Sequence, residues 1–259
     1  MRLGTETDES TGWLAGDAIL LAGATGRVGG ATLATLVAEG ARVIVISRDR
    51  SRAQATIDAE LPAALRDRAV PFRADANDID DVQLAVEHCI GTLGRIDALV
   101  NLAGSGFGRT PLTDSTLHDL RDNLTAFTES AYVLAMAALR AMLVQTYRAG
   151  ARSRGRIVTV TAGSSKDPAP GRGLFAAAKA GVNALMLAVA REHKADGIVA
   201  NALVLGGVAF AGAEKFYSAE DFAAAATPQE VADTLTFLAS DRSSGINGAL
   251  IDLNARETD

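Results

Sequence analysis

The stretch AILLAGATGRVGG, residues 18–30, decides the fold. Its first five residues form an unbroken apolar run, short enough to read as a buried strand. Gly23, Gly26 and Gly29 follow at intervals of three, where a strand must turn into a helix. Without side chains at these points the chain turns tightly, and a helix opening there offers free N–H groups to a phosphate. Such a turn alone is equally well a structural one. Its place behind the first strand of a βα series selects the phosphate reading.

Further short apolar runs repeat down the chain: RVIVIS at Arg42–Ser47, AVPF at 69–72, IDALVN at 96–101, RIVTVT at 156–161 and IVANALVL at Ile198–Leu205. Helical stretches separate them. The longest is read over 117–148, where Leu117, Leu120, Leu124, Phe127, Ala131, Leu134 and Ala138 keep the spacing of one apolar face. A second long helix is read over 174–195. Strands that are apolar throughout, alternating with helices, predict a single-domain α/β fold: a Rossmann-like, doubly wound parallel sheet with helices on both faces. Residues 1–12 are polar and acidic and read as a disordered tail, with the domain over 13–259.

The chain has 259 residues, 22% of them charged, a formal net charge of −6 and a pI near 5.2. That balance gives no basic footprint for nucleic acid. A single cysteine, Cys89, excludes an internal disulfide. The N-terminus has no apolar signal core and no run approaches eighteen uninterrupted apolar residues, so the expectation is a cytoplasmic protein off the membrane. His88, His118 and His193 are scattered without metal-ligand spacing and read as surface or capping residues, so no metal is expected.

Several motifs, in order, resemble the short-chain dehydrogenase/reductase family over roughly residues 13–254. LAGDAILLAGATGRVG resembles its opening strand and cofactor loop, and DALVNLAG its fourth-strand motif. RDNLTAF resembles the segment that supplies a catalytic asparagine, here Asn123. GRIVTVTAG and FAAAKAGVNAL resemble the strand and helix that carry serine, tyrosine and lysine. TPQEVADTLTFLASDRSSGINGALIDLN follows the last helix and strand. The glycine spacing is commoner in extended members, and the family's final Gly-Gly is replaced by Leu253, Asn254 and Ala255.

The resemblance implies a nicotinamide dinucleotide on Gly23, Thr25, Gly26, Arg27, Val28 and Gly29, with Asp75 and Ala76 beside the adenine. Asn101, Ala103, Gly104, Lys179, Gly206 and Val208 complete the site. The second strand ends in Ser47 and Arg48 where an acid would accept from the ribose hydroxyls, so NADP(H) is expected over NAD(H), which remains possible. Asp49 comes too late for that acid, and Arg27 offers a second phosphate contact. The alternatives are a solvated arginine cluster and, for Asp75, a cap on the following helix.

The same resemblance makes the reaction centre incomplete. Family members protonate a carbonyl oxygen with the tyrosine of Tyr-x-x-x-Lys and orient it with a serine. Here Phe175 and Lys179 fill the first motif, and Ala162, thirteen residues before Phe175, fills the serine position. Ser164, if the loop bulges, or Tyr217, in the segment corresponding to the substrate lid, are the substitutes considered. Thr161 should point to the opposite strand face, and Tyr132 and Tyr147 read as packing residues. Phe210 replaces a threonine near the nicotinamide. Ordinary carbonyl reduction is therefore not expected. The readings are a divergent NADP(H)-dependent enzyme, a non-catalytic nucleotide-sensing or partner subunit, and a reductase whose acid has moved to Tyr217 or a water. The resemblance also implies a homodimer or homotetramer through the two long helices.

Overall fold

The computed structural model describes residues 12–104, 108–210, 212, 222 and 225–253. Seven parallel strands form one sheet: β1 (Ala18–Ala22), β2 (Arg42–Ser47), β3 (Ala69–Arg73), β4 (Ala98–Asn101), β5 (Gly155–Ala162), β6 (Ile198–Leu205) and β7 (Leu250–Leu253). Their spatial order is β3-β2-β1-β4-β5-β6-β7. The order reverses between β1 and β4, and it is there, at the carboxyl ends of the strands, that an open α/β sheet leaves a crevice.

Both faces of the sheet are covered, which is why the strands are apolar throughout. On one face Ile19, Leu21, Val43, Val45, Val100 and Val158 meet α1 (Gly29–Ala38), α2 (Arg50–Glu60) and α7 (Pro228–Ala239). On the other, Leu20, Ala22, Ile44, Leu99 and Ile157 meet α3 (Ile79–Leu93), α5 (Ser130–Val144) and α6 (Gly173–Glu192). Successive residues of β1 therefore serve opposite cores, as the strand period requires.

The long helix after β4 departs from the sequence reading in two ways. It begins as α4 (Leu117–Asn123), continues through a π-helical segment (Leu124–Glu129) and resumes as α5. It ends at Val144, not 148, because Gln145 is extended and its amide donates to the carbonyls of Ile96 and Arg154. Leu117 and Leu124, expected on the buried face, are 60% and 38% exposed; Leu117 lies on α4, which buries no residue, and Leu124 opens the π-helical segment after it. The second long helix runs Gly173–Glu192, stopping three residues early where His193 leaves helical geometry and binds Asp196 at 2.9 Å. Leu117–Val144 and Gly173–Glu192 both have the length and apolar composition of a membrane span, yet about half of each is buried in the fold, as in core helices.

At the amino ends of the strands a buried ion network fastens the sheet. Asp17 accepts from Arg148 and, at 2.7 Å, from Arg156, which also lies 3.5 Å from Asp241. β4 begins at Ala98 rather than 96, and the Asp97 carboxylate just before it accepts from the Ala18 N–H at 2.9 Å. Gly12, counted in the tail, is described and accepts from the Ala15 N–H; residues 1–11 lie outside the described residues.

Candidate active site

The glycine loop connects β1 to α1. Gly23 has φ +88°, and a Cβ there would stand 2.6 Å from the Leu102 carbonyl carbon, against the chain leaving β4. A Cβ on Gly29 would run into the Gly23 carbonyl. Both positions therefore require glycine, the first for its backbone angle and the second for close packing of helix onto turn. Two tight turns, Gly26 N–H to Gly23 O and Gly29 N–H to Gly26 O, hold the loop.

The loop opens onto a cleft of about 730 Å³ at the carboxyl edge of the sheet. Of the residues the sequence nominates, Gly23, Thr25, Gly26, Arg27, Val28, Gly29, Ala103, Gly104, Lys179, Gly206 and Val208 line it, together with Ala162, Ser164, Phe175 and Phe210. Ser47, Arg48, Asp75, Ala76, Asn101 and Asn123 are not in the lining. Ser47 and Arg73 pair at the tips of β2 and β3, so the adenosine-side residues stand along the same edge, beside the cleft.

Several residues along this edge have local hydrogen bonds. Asp49 caps α2, accepting from the Ser51 and Arg52 N–H groups, so its carboxylate serves the helix. Asp75 accepts from the Asn77 N–H; the cap of α3 is Asp78, which corrects the capping role considered for Asp75. Asn101 is buried and accepts from the Ala103 N–H at 2.8 Å, fixing the bend after β4. Asn123 donates to the Asp119 carbonyl at 2.8 Å, just before the π-helical segment.

An apolar cluster stands where the resemblance places hydroxyls. Phe175 is 5% exposed and packs with Phe127, Ala178, Ala126 and Ala162. Lys179, on the same helix one turn later, is buried; its Nζ donates to the Val160 carbonyl at 3.0 Å and lies 4.7 Å over the Phe127 ring. Burial lowers its pKa from 10.5 to about 8. Ser165 is engaged by the Asn183 amide at 2.8 Å, whereas Ser164 lines the cleft. The Thr161 hydroxyl is buried with no hydrogen-bond partner among the described residues. Tyr217 and the lid around it lie outside the described residues, as do Asn254 and Ala255.

The cleft is also lined by Arg52, Arg109, Arg172 and Phe127, which the sequence did not nominate, and by Thr161, which corrects the expectation that it points away. The signal for Arg52 was its place four residues after Arg48, in the first turn of α2. Its guanidinium donates to the Thr25 carbonyl at 3.4 Å. Arg27 lies 4.1 Å over the Phe210 ring, joining the glycine loop to the segment after β6. Cys89 is buried and its thiol is pushed up to about 12 by burial first and the Asp97 charge second, so it is an inert packing residue. His88 stacks on Phe72 and His118 sits 3.5 Å from Asp122.

A family model described as short chain dehydrogenase matches residues 17–221. The chain is 32% identical over 255 residues to a (5R,7aS)-5-hydroxy-7a-methyl-1-oxo-2,3,5,6,7,7a-hexahydro-1H-indene-carboxyl-CoA reductase of Mycobacterium tuberculosis, covering 95% of this chain and 94% of that one. It is 30% identical over 227 residues to a 3-oxoacyl-(acyl-carrier-protein) reductase of Synechocystis, covering 86% and 88%. A crystal structure of a short chain dehydrogenase from Mycobacterium smegmatis superposes with a TM-score of 0.79 at 30% identity, covering 95% of both chains.

Proposed function

The chain belongs to the short-chain dehydrogenase family, oxidoreductases that use nicotinamide cofactors, and on that premise we propose that it binds NADP(H) and acts as an atypical small-molecule enzyme, not as an ordinary carbonyl reductase. The glycine loop fits a pyrophosphate, since it lines the cleft and leads straight into the N-terminus of α1, where a helix offers backbone N–H groups to an anion. Gly23, Thr25, Gly26, Arg27, Val28 and Gly29 would hold the diphosphate, and Ser47, Arg48 and Arg52 the 2′-phosphate. Asp75 and Ala76 would lie at the adenine, and Asn101, Ala103, Gly104, Lys179, Gly206 and Val208 towards the nicotinamide. When bound, the nucleotide supplies or accepts hydride.

One observation carries the rest of the reading: the packed cluster of Phe175, Phe127 and Ala162. Phe175 has no proton to give and Ala162 no hydroxyl to orient an oxygen. A positioned general acid contributes roughly 10²–10⁴ in rate, so simple ketones and aldehydes are poor substrates here. Acceptors that need no strong acid, such as a conjugated alkene or an iminium, suit the site better. Lys179 is the proton-bearing group inside it, and Ser164 offers a hydroxyl at the same end. The close packing of Phe175 also favours a second reading, a nucleotide-sensing subunit without turnover. Calorimetry with the four nucleotides tests the binding, and NADPH oxidation with ketones, enones and iminium salts tests the chemistry. Tighter binding of NADH, or strong turnover of simple ketones, overturns the proposal.

The long helices suit a homodimer or homotetramer. Leu117, Leu124 and Tyr132, on one continuous helix, are exposed at 60%, 38% and 48%. Light scattering at micromolar concentration is expected to give a multiple of 26.7 kDa; a monomer alone rejects the assembly.

A further inference from the structure

Lys179 carries an amine with too few partners. It is the lysine that lines the cleft among the described residues, and it is 7% exposed. An ammonium brings three N–H donors, and among the described residues a single acceptor meets them, the Val160 carbonyl at 3.0 Å. The other neighbour is apolar: Nζ stands 4.7 Å over the Phe127 ring, against which Phe175 packs. No carboxylate among the described residues lines the cleft. Burial, with no partner charge, brings the amine to about 8, so roughly a tenth of it is neutral and nucleophilic at pH 7. The chain's other lysines are Lys166, exposed and paired with Asp252 at 2.6 Å, Lys194, also exposed, and Lys215, outside the described residues.

A protonated imine resolves that shortage. Its nitrogen keeps the positive charge with one N–H in place of three, which the Val160 carbonyl satisfies while the charge stays over the Phe127 ring. Phe127, Ala162 and Phe175 line the same cleft and offer apolar surface to an apolar body. We propose that Lys179 captures a small apolar aldehyde as a covalent imine in this cleft. The neutral amine attacks the carbonyl carbon and the C–N bond forms. The C–O bond breaks, and the oxygen leaves as water with both amine hydrogens. The imine then takes one proton from solvent, and nothing is oxidised or reduced. The step needs the amine and the cleft wall but no nucleotide, so it goes beyond the nucleotide reading.

The test uses the full chain without nucleotide and two aldehyde probes, apolar benzaldehyde and polar glyceraldehyde. Each is added at limiting concentration near neutral pH with cyanoborohydride, which reduces an imine to a stable secondary amine. Digestion and mass spectrometry then map the label, and the exposed Lys166 and Lys194 serve as internal references for each probe. Benzaldehyde should label Lys179 over those two by about tenfold or more, the advantage of a larger neutral fraction. Glyceraldehyde should show a smaller ratio, because it gains nothing from the apolar wall. Lys179→Met should remove the excess label and leave that on Lys166 and Lys194 unchanged. The map of the parent protein decides the question even where the variant fails to fold. Labelling of Lys179 no greater than that of the exposed lysines, an equal ratio for the two aldehydes, or excess uptake that survives Lys179→Met overturns the inference.

Discussion

The ring of Phe175 meets the ring of Phe127 edge to face, with centroids 5.0 Å apart and planes at 79°. The contact places an apolar cluster, worth about 1 kcal/mol beyond its burial, where the family's proton donor would stand. Lys179 is over the other ring at 4.7 Å. Phe175→Tyr adds one hydroxyl one helical turn from that amine, and Ala162→Ser adds an oxygen anchor beside it. The double variant should gain NADPH-dependent reduction of diketones, quinones and aromatic aldehydes over the parent, by about tenfold or more, and by more than either single change. No gain in a double variant that binds NADPH would assign the block to the altered segment between Leu205 and Phe210.

On the proposed reading, preference for NADPH is divided between two arginines. Arg48 is exposed at the tip of β2, whereas Arg52 lines the cleft and reaches the Thr25 carbonyl at 3.4 Å. Arg48→Ala and Arg52→Ala should each weaken NADPH binding by about tenfold, the loss of one charge-assisted contact, with NADH binding unchanged. Arg52→Ala should have the larger effect. Calorimetry reads all four values, and an unchanged ratio of NADPH to NADH affinity in both variants rejects the assignment.

Lys179 should give stability a pH slope. Burial brings its amine to about 8, against 10.5 unperturbed. Between those values the folded chain binds fewer protons than the unfolded one, so stability rises with pH across that window. Below it the buried ammonium costs on the order of 3 kcal/mol at most. Lys179→Met keeps the stem and removes the charge, so it should abolish the slope and be the more stable protein near neutral pH. Urea midpoints of the nucleotide-free proteins across the window check this; parallel profiles contradict it.

Arg156 is the hinge of the ion network. Burial pushes the Asp17 carboxyl upward, and Arg156 is the first of the charges that oppose it. Arg156→Leu should cost about 3 kcal/mol at neutral pH, the usual result of stranding one member of a buried pair. Without Arg156 the Asp17 carboxyl holds its proton to higher pH in the folded state. The deficit should therefore shrink as the solution is acidified toward the range where Asp17 is protonated. Chemical denaturation at neutral and mildly acidic pH measures both, and a deficit that is small or independent of pH contradicts the account.

The order of strands and helices and the place of the glycine turn were legible because they rest on local rules. Ile19 and Leu20 face opposite cores by the strand period, and the positive φ of Gly23 belongs to the turn itself. The substitutions Phe175 and Ala162 were legible for the same reason, since one helical turn sets the spacing from Phe175 to Lys179. By itself the sequence therefore determined the doubly wound sheet, the glycine turn and the spacing that sets Phe175 one helical turn before Lys179. The tertiary structure alone decided which charges meet. It joined the loop after β4 to the start of α6 through the Thr110–Gly171 bond, lowered Arg52 rather than Arg48 into the cleft, laid Arg27 on Phe210 and left Leu117 exposed. Those partners are far apart in the chain, and a periodic pattern fixes the face a residue occupies, not the distant segment that folds against it.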